Sequence, residues 1–239
     1  MHELKVVSNN VANASSTGFK ASRSSFADSY ATASDTMQQI DKGYGTRVLQ
    51  SQRSHVQGSL RATGGALDVA VNGEGMFVVR RPETPEDLQF TRNGAIEMTL
   101  EGKLVSSDGH EFLSTDLEPI TVPFFVVDDN GRQRRLSQIT VQDDGMVKAS
   151  YGQGVDFDLA KIGLALFADE NKLAAEGSNY FRTSPGSGAP EIVAPLGLRS
   201  GALEPGFLET ANVDITNELN LMIRCLLYTS DAADEEDSV

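Results

Sequence analysis

The sequence predicts a mainly β protein, a hairpin-rich β body flanked by short N- and C-terminal α-helical segments. Three observations predict it. Apolar residues near the N-terminus keep helical spacing, then switch to period two from Leu67 onward. Gly-bearing turns punctuate the middle of the chain at short intervals. Helical spacing returns only after Asn212.

Residues 1–20 form the first segment. Leu4, Val7, Val11 and Ala14 share one helical stripe, and Ser8, Asn9 and Asn13 lie on another face. Ser15-Ser16-Thr17-Gly18 is a helix stop. A helix this short needs a partner for its apolar stripe. Residues 21–66 are polar and read as an extended arm. Phe26 and Tyr30 are spaced for one helical turn, and a strand is expected within 48–56.

The β body spans 67–200. Leu67, Val69 and Val71 alternate with Asp68, Ala70 and Asn72; Gly73-Glu74-Gly75 turns the chain into Met76-Phe77-Val78-Val79. Turns follow at Asn93-Gly94, Glu101-Gly102, Asp108-Gly109, Asn130-Gly131, Asp144-Gly145 and Gly152-Gln153-Gly154. Asn and Asp before Gly tolerate the backbone that tight hairpins need. Residues 139–141 and 146–149 make a further hairpin, and 162–167 a short apolar strand. Residues 183–206, rich in Pro, Gly and Ser, return the chain. The segment 201–224 ends in a helix with Ile215, Leu219, Met222 and Ile223 on one stripe; Asp214 and Glu218 sit where negative charge suits the helix dipole.

Residues 225–239 read differently. Cys-Leu-Leu-Tyr-Thr-Ser-Asp-Ala-Ala-Asp-Glu looks like the translation of a sequencing adapter. The stretch holds five acids and no bases; the genuine chain is expected to end near Ile223 or Arg224, with 225–239 a sequencing artefact, and the alternative is a real acidic tail. Cys225, the single cysteine, has no intrachain disulfide partner.

Composition narrows the function. A net charge of −14 argues against nucleic acid, which needs clustered Lys and Arg. The clusters at Arg132–Arg135 and at Arg80 and Arg81 read as solvated strand ends. No segment reaches the ~20 apolar residues of a membrane helix, and no cleaved signal peptide is evident. His2, His55 and His110 lack metal-ligand spacing, no Ser sits in a nucleophile elbow, and Asp128-Asp129-Asn130-Gly131 reads as a turn rather than a calcium loop. No catalytic, cofactor or metal residue is assigned.

Three motifs carry a resemblance. Val7-Ser8-Asn9-Asn10-Val11-Ala12-Asn13 through Gly18-Phe19-Lys20 resembles the N-terminal motif of bacterial flagellar rod and hook proteins. Leu67 through Phe77, with Phe90-Thr91-Arg92-Asn93-Gly94, resembles the start of their β domain. Gly201-Ala202-Leu203-Glu204 through Glu209-Thr210-Ala211-Asn212-Val213-Asp214 to Met222-Ile223 resembles their C-terminal motif. The resemblance implies a structural subunit of the axial tube, not an enzyme, with terminal helices in an inner coiled-coil layer and β domains outside. It implies assembly motifs at Asn9, Asn10, Val11, Asn13, Gly18, Phe19 and Lys20, and at Asn212, Val213, Leu219, Met222 and Ile223. Its partners would be copies of itself, adjacent axial proteins and the flagellar export apparatus, without nucleic acid, cofactor or membrane insertion. The place would be the hook or basal body, reached without a cleaved signal. The family's terminal helices extend further than those here, so this chain by itself is expected not to polymerise. Phe26–Ala31, Ile139–Tyr151 and Gly163–Phe167 resemble hook proteins, and about thirty residues from Gly109 to Ile139, where a typical hook protein inserts a further β domain, suit a short hook protein or a distal rod protein; a short hook protein is slightly favoured. The alternative is a secreted β-domain binding module or adhesin. Low aromatic content without Trp speaks against its binding platforms.

Overall fold

The computed structural model describes residues 2–24, 26–30, 43–48, 51–127, 131–152 and 155–236. The chain divides into two units. The first comprises residues 1–14, 20–55 and 213–239; the second comprises 15–19 and 56–212.

In the first unit, helix α1 (His2–Ala12) packs against helix α2 (Ile215–Glu236). Val7 is buried, as its place on the apolar stripe predicts. Asp214 caps α2: its Oδ1 accepts the N–H groups of Thr216 at 3.0 Å and Asn217 at 3.2 Å, satisfying donors that the helix itself leaves open. The helix continues without a break past Ile223. Strands β1 (Ser22–Arg23) and β2 (Phe26–Tyr30) follow α1, then β3 (Gly43–Val48) and β4 (Gln52–Arg53). β1 pairs with β4 and β2 with β3, both antiparallel. Phe26–Tyr30 is therefore a strand and not the helical turn suggested by its aromatic spacing. Ser and Asp inside the run are weak helix formers, and cross-strand hydrogen bonds prevail.

The second unit is the β body. Its strands are β5 (Leu60–Ala62), β6 (Val69–Asn72), β7 (Met76–Arg81), β8 (Thr84–Thr91), β9 (Ile96–Met98), β10 (Leu104–Ser106), β11 (Glu111–Phe112), β12 (Phe125–Val127), β13 (Gln133–Val141), β14 (Met146–Tyr151), β15 (Val155–Lys161), β16 (Leu164–Leu166), β17 (Ala174–Gly177), β18 (Tyr180–Arg182), β19 (Glu191–Val193), β20 (Ala202–Pro205) and β21 (Phe207–Glu209). Among the described residues, the largest sheet runs β17-β18-β8-β7-β11-β10-β9, with β16 joining β7 to β19. A second sheet runs β12-β13-β14-β15, and β20 with β6 and β21 with β5 form two-stranded pairs. The fold class is mainly β with two helices, as the sequence predicts.

β7 is the axis of the large sheet. Met76, Phe77, Val78 and Val79 are all fully buried. Phe77 and Val79 face one core with Phe112, Leu104 and Val147, while Met76 and Val78 face a second with Phe90, Leu113 and Phe181. A strand covered on both faces reads as a continuous apolar run, which explains Met-Phe-Val-Val. Phe77, Phe90 and Phe167 are core residues, as their strand positions predict. The Gly73-Glu74-Gly75 turn does not close a hairpin. β6 pairs instead with β20, Val71 opposite Leu203, and β7 pairs with β8. The hairpin at Ile139–Ala149 forms as read, with Val141 opposite Val147. β12 and β13 pair across 128–130, which lie outside the described residues, as does 153–154 between β14 and β15.

The turn between β10 and β11 holds a titrating group. His110 is buried, stacks on Tyr180 with ring centroids 4.2 Å apart, and accepts a hydrogen bond at Nε2 from Arg81 Nε at 3.2 Å. The neutral ring therefore carries its proton on Nδ1. Burial first, then the Arg81 charge, holds its pKa below the ordinary 6.5, while Asp108 and Glu176 pull the other way. The Tyr180 hydroxyl donates to Ser106 Oγ at 2.7 Å, and burial pushes its pKa up to about 12. The unfolded chain thus binds the His110 proton more readily than the folded one. Stability is expected to fall as pH drops below 6.5 towards the lower folded-state value, and to be insensitive to this residue above it. Urea midpoints between about pH 7.5 and about pH 5 check this. His110→Gln flattens the slope in that window; an unchanged slope contradicts the assignment.

Candidate assembly site

Gly18, in the N-terminal motif, has a left-handed conformation, φ +66°. Its N–H donates to the Glu209 carbonyl at 2.8 Å. A Cβ there would lie 2.7 Å from the Asn93 nitrogen and 2.8 Å from the Arg92 carbonyl carbon. Glycine is thus required twice, by φ and by close approach. Next to it, buried Phe19 offers its carbonyl to the Asn212 N–H at 3.3 Å, and Asn179 Nδ2 donates to the Thr17 carbonyl at 3.1 Å. Segment 15–19 is thereby stitched to the β body through Thr17, Gly18 and Phe19.

An ion pair lies beneath this crossing. The Arg92 and Glu209 side chains are 3% and 0% exposed, with Nη1 and Oε2 3.7 Å apart. Arg92 Nη1 also donates to the Gly73 carbonyl at 2.9 Å, and Glu209 Oε1 accepts the Gly58 N–H at 2.8 Å. Buried charges persist only when paired and hydrogen-bonded, and here each has both kinds of contact. Asn212 Nδ2 then donates to the Val56 carbonyl at 2.8 Å, and Thr210 N–H to the Ser59 carbonyl at 2.9 Å. Gly58 admits this approach: a Cβ would stand 2.0 Å from the Thr210 oxygen. Four distant stretches, around Gly18, Gly58, Arg92 and Glu209, therefore meet at one clasp.

The other predicted residues take different places. Asn10 is buried on α1, where its Nδ2 donates to the Ser22 carbonyl at 2.8 Å and its Oδ1 accepts the Ser22 N–H at 2.9 Å. This amide pairing completes an edge as a neighbouring strand would. Asn13 Nδ2 bonds Asn9 one turn back, at 2.9 Å to its carbonyl and 3.0 Å to its Oδ1. Lys20 is fully buried, and Val11 and Val213 are half-buried. On α2, Leu219 and Ile223 are exposed and Met222 is half-buried. Gly18, Phe19 and Asn212 thus come together in the clasp, whereas Leu219 and Ile223 face solvent with Ile215 and Leu226. Sequence reasoning assigned no role to Arg92, Glu209 or Gly58. The available signal was a charged residue at the end of a strand-like run, in Phe90-Thr91-Arg92 and in Phe207-Leu208-Glu209.

Nearby charges elsewhere in the body act structurally. Burial raises the Glu111 pKa, but hydrogen bonds from Lys103 at 2.8 Å and Arg80 at 3.1 Å outweigh it, leaving the carboxyl below its usual range. These groups tie β11 to β7 and β10. Among the described residues, no cluster of three His, Cys, Asp or Glu side chains is arranged to hold a metal ion. No helix of the described residues is long and apolar enough to cross a membrane.

A family described as the flagellar hook protein FlgE/F/G D1 domain matches residues 70–149, and one described as the flagella basal body rod protein matches residues 2–20. The flagellar basal-body rod protein FlgG of Agrobacterium fabrum is 31% identical, over 92% of this chain and 83% of the relative. FlgG of Bacillus subtilis is also 31% identical, over 92% and 83%. The rod protein FlgF of Caulobacter vibrioides is 29% identical, over 92% and 80%.

Proposed function

This chain belongs to the flagellar hook and basal-body rod protein family, a structural component of the flagellum serving motility, and from that premise we propose that it is a rod subunit of the basal body. Similarity to rod proteins over most of the chain carries the reading. It replaces the preference for the hook. The residues between Gly109 and Ile139 support it too: β11, the Leu113–Pro119 bridge and β12 occupy them as part of the body. The role is scaffolding; it uses no catalytic group and no cofactor. The adhesin alternative gives way to family membership.

In this reading, copies of the chain stack with one another and with adjacent axial proteins. Leu219, Met222 and Ile223, with Ile215, supply the apolar stripe of an inner helical layer. Asn9, Asn10, Asn13 and Lys20 hold α1 and the chain leaving it in register for that layer. Gly18, Phe19 and Asn212 act within the subunit, by fastening the start and end of the β body. Delivery through the flagellar export apparatus without a cleaved signal is part of the same proposal.

Immunogold electron microscopy tests the proposal. Antibodies against this chain, applied to hook–basal bodies isolated from the bacterium that encodes it, are expected to label the rod. Label confined to the hook would reverse the rod assignment, and absence of label from axial structures would overturn the reading.

A further inference from the structure

We propose that His110 is an acid-sensitive latch on the edge hairpin β17–β18: its neutral ring holds the hairpin closed, and a proton on the ring lets the hairpin open ahead of the rest of the β body.

The hairpin is attached along one side only. β17 ends the large sheet, and all four of its residues are exposed. β18 carries the attachment through two residue pairs with β8, Tyr180 opposite Thr91 and Phe181 opposite Phe90. Tyr180 and Phe181 are buried, and the Thr91 hydroxyl donates to the Asn179 carbonyl at 3.0 Å. Arg182 pairs with Asp87 on β8 and with Glu176 on β17, and Gln89 Nε2 donates to Glu176.

The turn between β10 and β11 grips the hairpin from the other direction. The His110 ring lies against the Tyr180 ring, with planes 28° from parallel. Ser106 Oγ, at the end of β10, accepts both the Tyr180 hydroxyl at 2.7 Å and the His110 backbone N–H at 3.2 Å. His110 is 7% exposed, so water barely reaches its ring while Tyr180 covers it.

A second proton does not fit this arrangement. A neutral imidazole offers one donor and one acceptor, whereas an imidazolium offers two donors. Nε2 already faces the Arg81 Nε–H, and Nδ1 is buried with no hydrogen-bond partner among the described residues. Protonation at Nε2 sets two N–H groups and two positive charges against each other, and neither ring nitrogen then has an acceptor. The charged groups around the ring are Arg81 on β7, Asp108 in the same turn and Glu176 on β17; Arg81 opposes the proton, and the two carboxylates favour it. Neither carboxylate is bonded to the ring. Tyr180 stays neutral throughout, with its pKa pushed up to about 12. The charged ring therefore gains water and exposed Asp108 only by leaving the stack on Tyr180. That unseats β18 first, because only β17 lies outside it.

Native-state hydrogen exchange of the full chain at pH 7.5 and pH 5, corrected for the intrinsic rate at each pH, tests the latch. The β17–β18 amides are expected to exchange faster than those of β7, with little dependence on low urea, as a local opening does. Their protection is expected to fall by up to about thirtyfold at pH 5, the ratio for a ring of pKa 6.5 when the hairpin is open and neutral when it is closed. His110→Phe keeps a ring on Tyr180 but cannot titrate, and exposed Arg81 can turn its freed N–H to water; the acid-induced loss is expected to vanish. An NMR titration of the unaltered chain gives a second reading that needs no variant: the His110 imidazole is expected to titrate below 6.5. Any of four results overturns the latch. These are β17–β18 amides that open only together with β7, protection that does not change between the two pH values, an acid-induced loss that survives His110→Phe, or a His110 midpoint at or above 6.5.

Discussion

Glu209→Ala is expected to destabilise the β body by about 3–5 kcal/mol, because it strands the Arg92 guanidinium without its counter-charge in a site closed to water. The same change leaves the Gly58 N–H without its 2.8 Å acceptor. The loss is thus larger than a surface ion pair of the same length would give, since exposed pairs contribute about 1 kcal/mol or less. Arg92→Met alone is expected to cost a similar amount, by stranding the carboxylate. The double variant Arg92→Met with Glu209→Leu is expected to cost clearly less than the two singles added together, since neither charge is then buried alone. Urea unfolding of the four proteins checks this. Additive singles would show that the two charges do not sense each other, and the clasp would then be a crossing of backbones only.

Gly18→Ala is expected to cost roughly 2–4 kcal/mol, combining the left-handed strain of an L residue with displacement of the Arg92–Asn93 backbone. Gly64 separates the two contributions. It also has a positive φ, +72°, but an added Cβ would meet nothing within 4 Å. Gly64→Ala is therefore expected to cost only the conformational part, about 1–2 kcal/mol. Equal losses at both positions would show that segment 15–19 moves away from the body without resistance. A larger loss at Gly18 locates the N-terminal motif in the fold of the body itself.

The β architecture was legible where its causes are local. Asp144-Gly145 marks the turn between β13 and β14, and Gly145 indeed has φ +80°. The alternation along β13 and β14 records one buried and one exposed face. Distant pairing was not legible. Val71 lies opposite Leu203, and nothing in either strand's pattern names the other; a Gly-bearing turn after β6 pointed instead to β7. The Met-Phe-Val-Val run signals burial without saying that two separate cores bury it. The assembly residues divided for the same reason. Leu219 and Ile223 follow from helical spacing alone. The work of Gly18 is visible only when Arg92, Asn93 and Glu209 are placed around it, and Glu209 has no local pattern that marks it as the partner of Arg92. The Phe26–Tyr30 strand shows the reverse error, a local spacing overridden by pairing with β3.

The central claim is that Gly18, Phe19 and Asn212, from the two terminal motifs, close the β body within one subunit, leaving the α2 stripe to meet neighbours. Native-state hydrogen exchange of the monomeric chain tests it most directly, at the Gly18 and Gly58 amides. Both donate to Glu209, one to its carbonyl and one to its carboxylate. The account predicts that both exchange only with opening of the whole body, as slowly as the core strand β7. Exchange at the rate of a free loop, with protection appearing only on assembly, would contradict it.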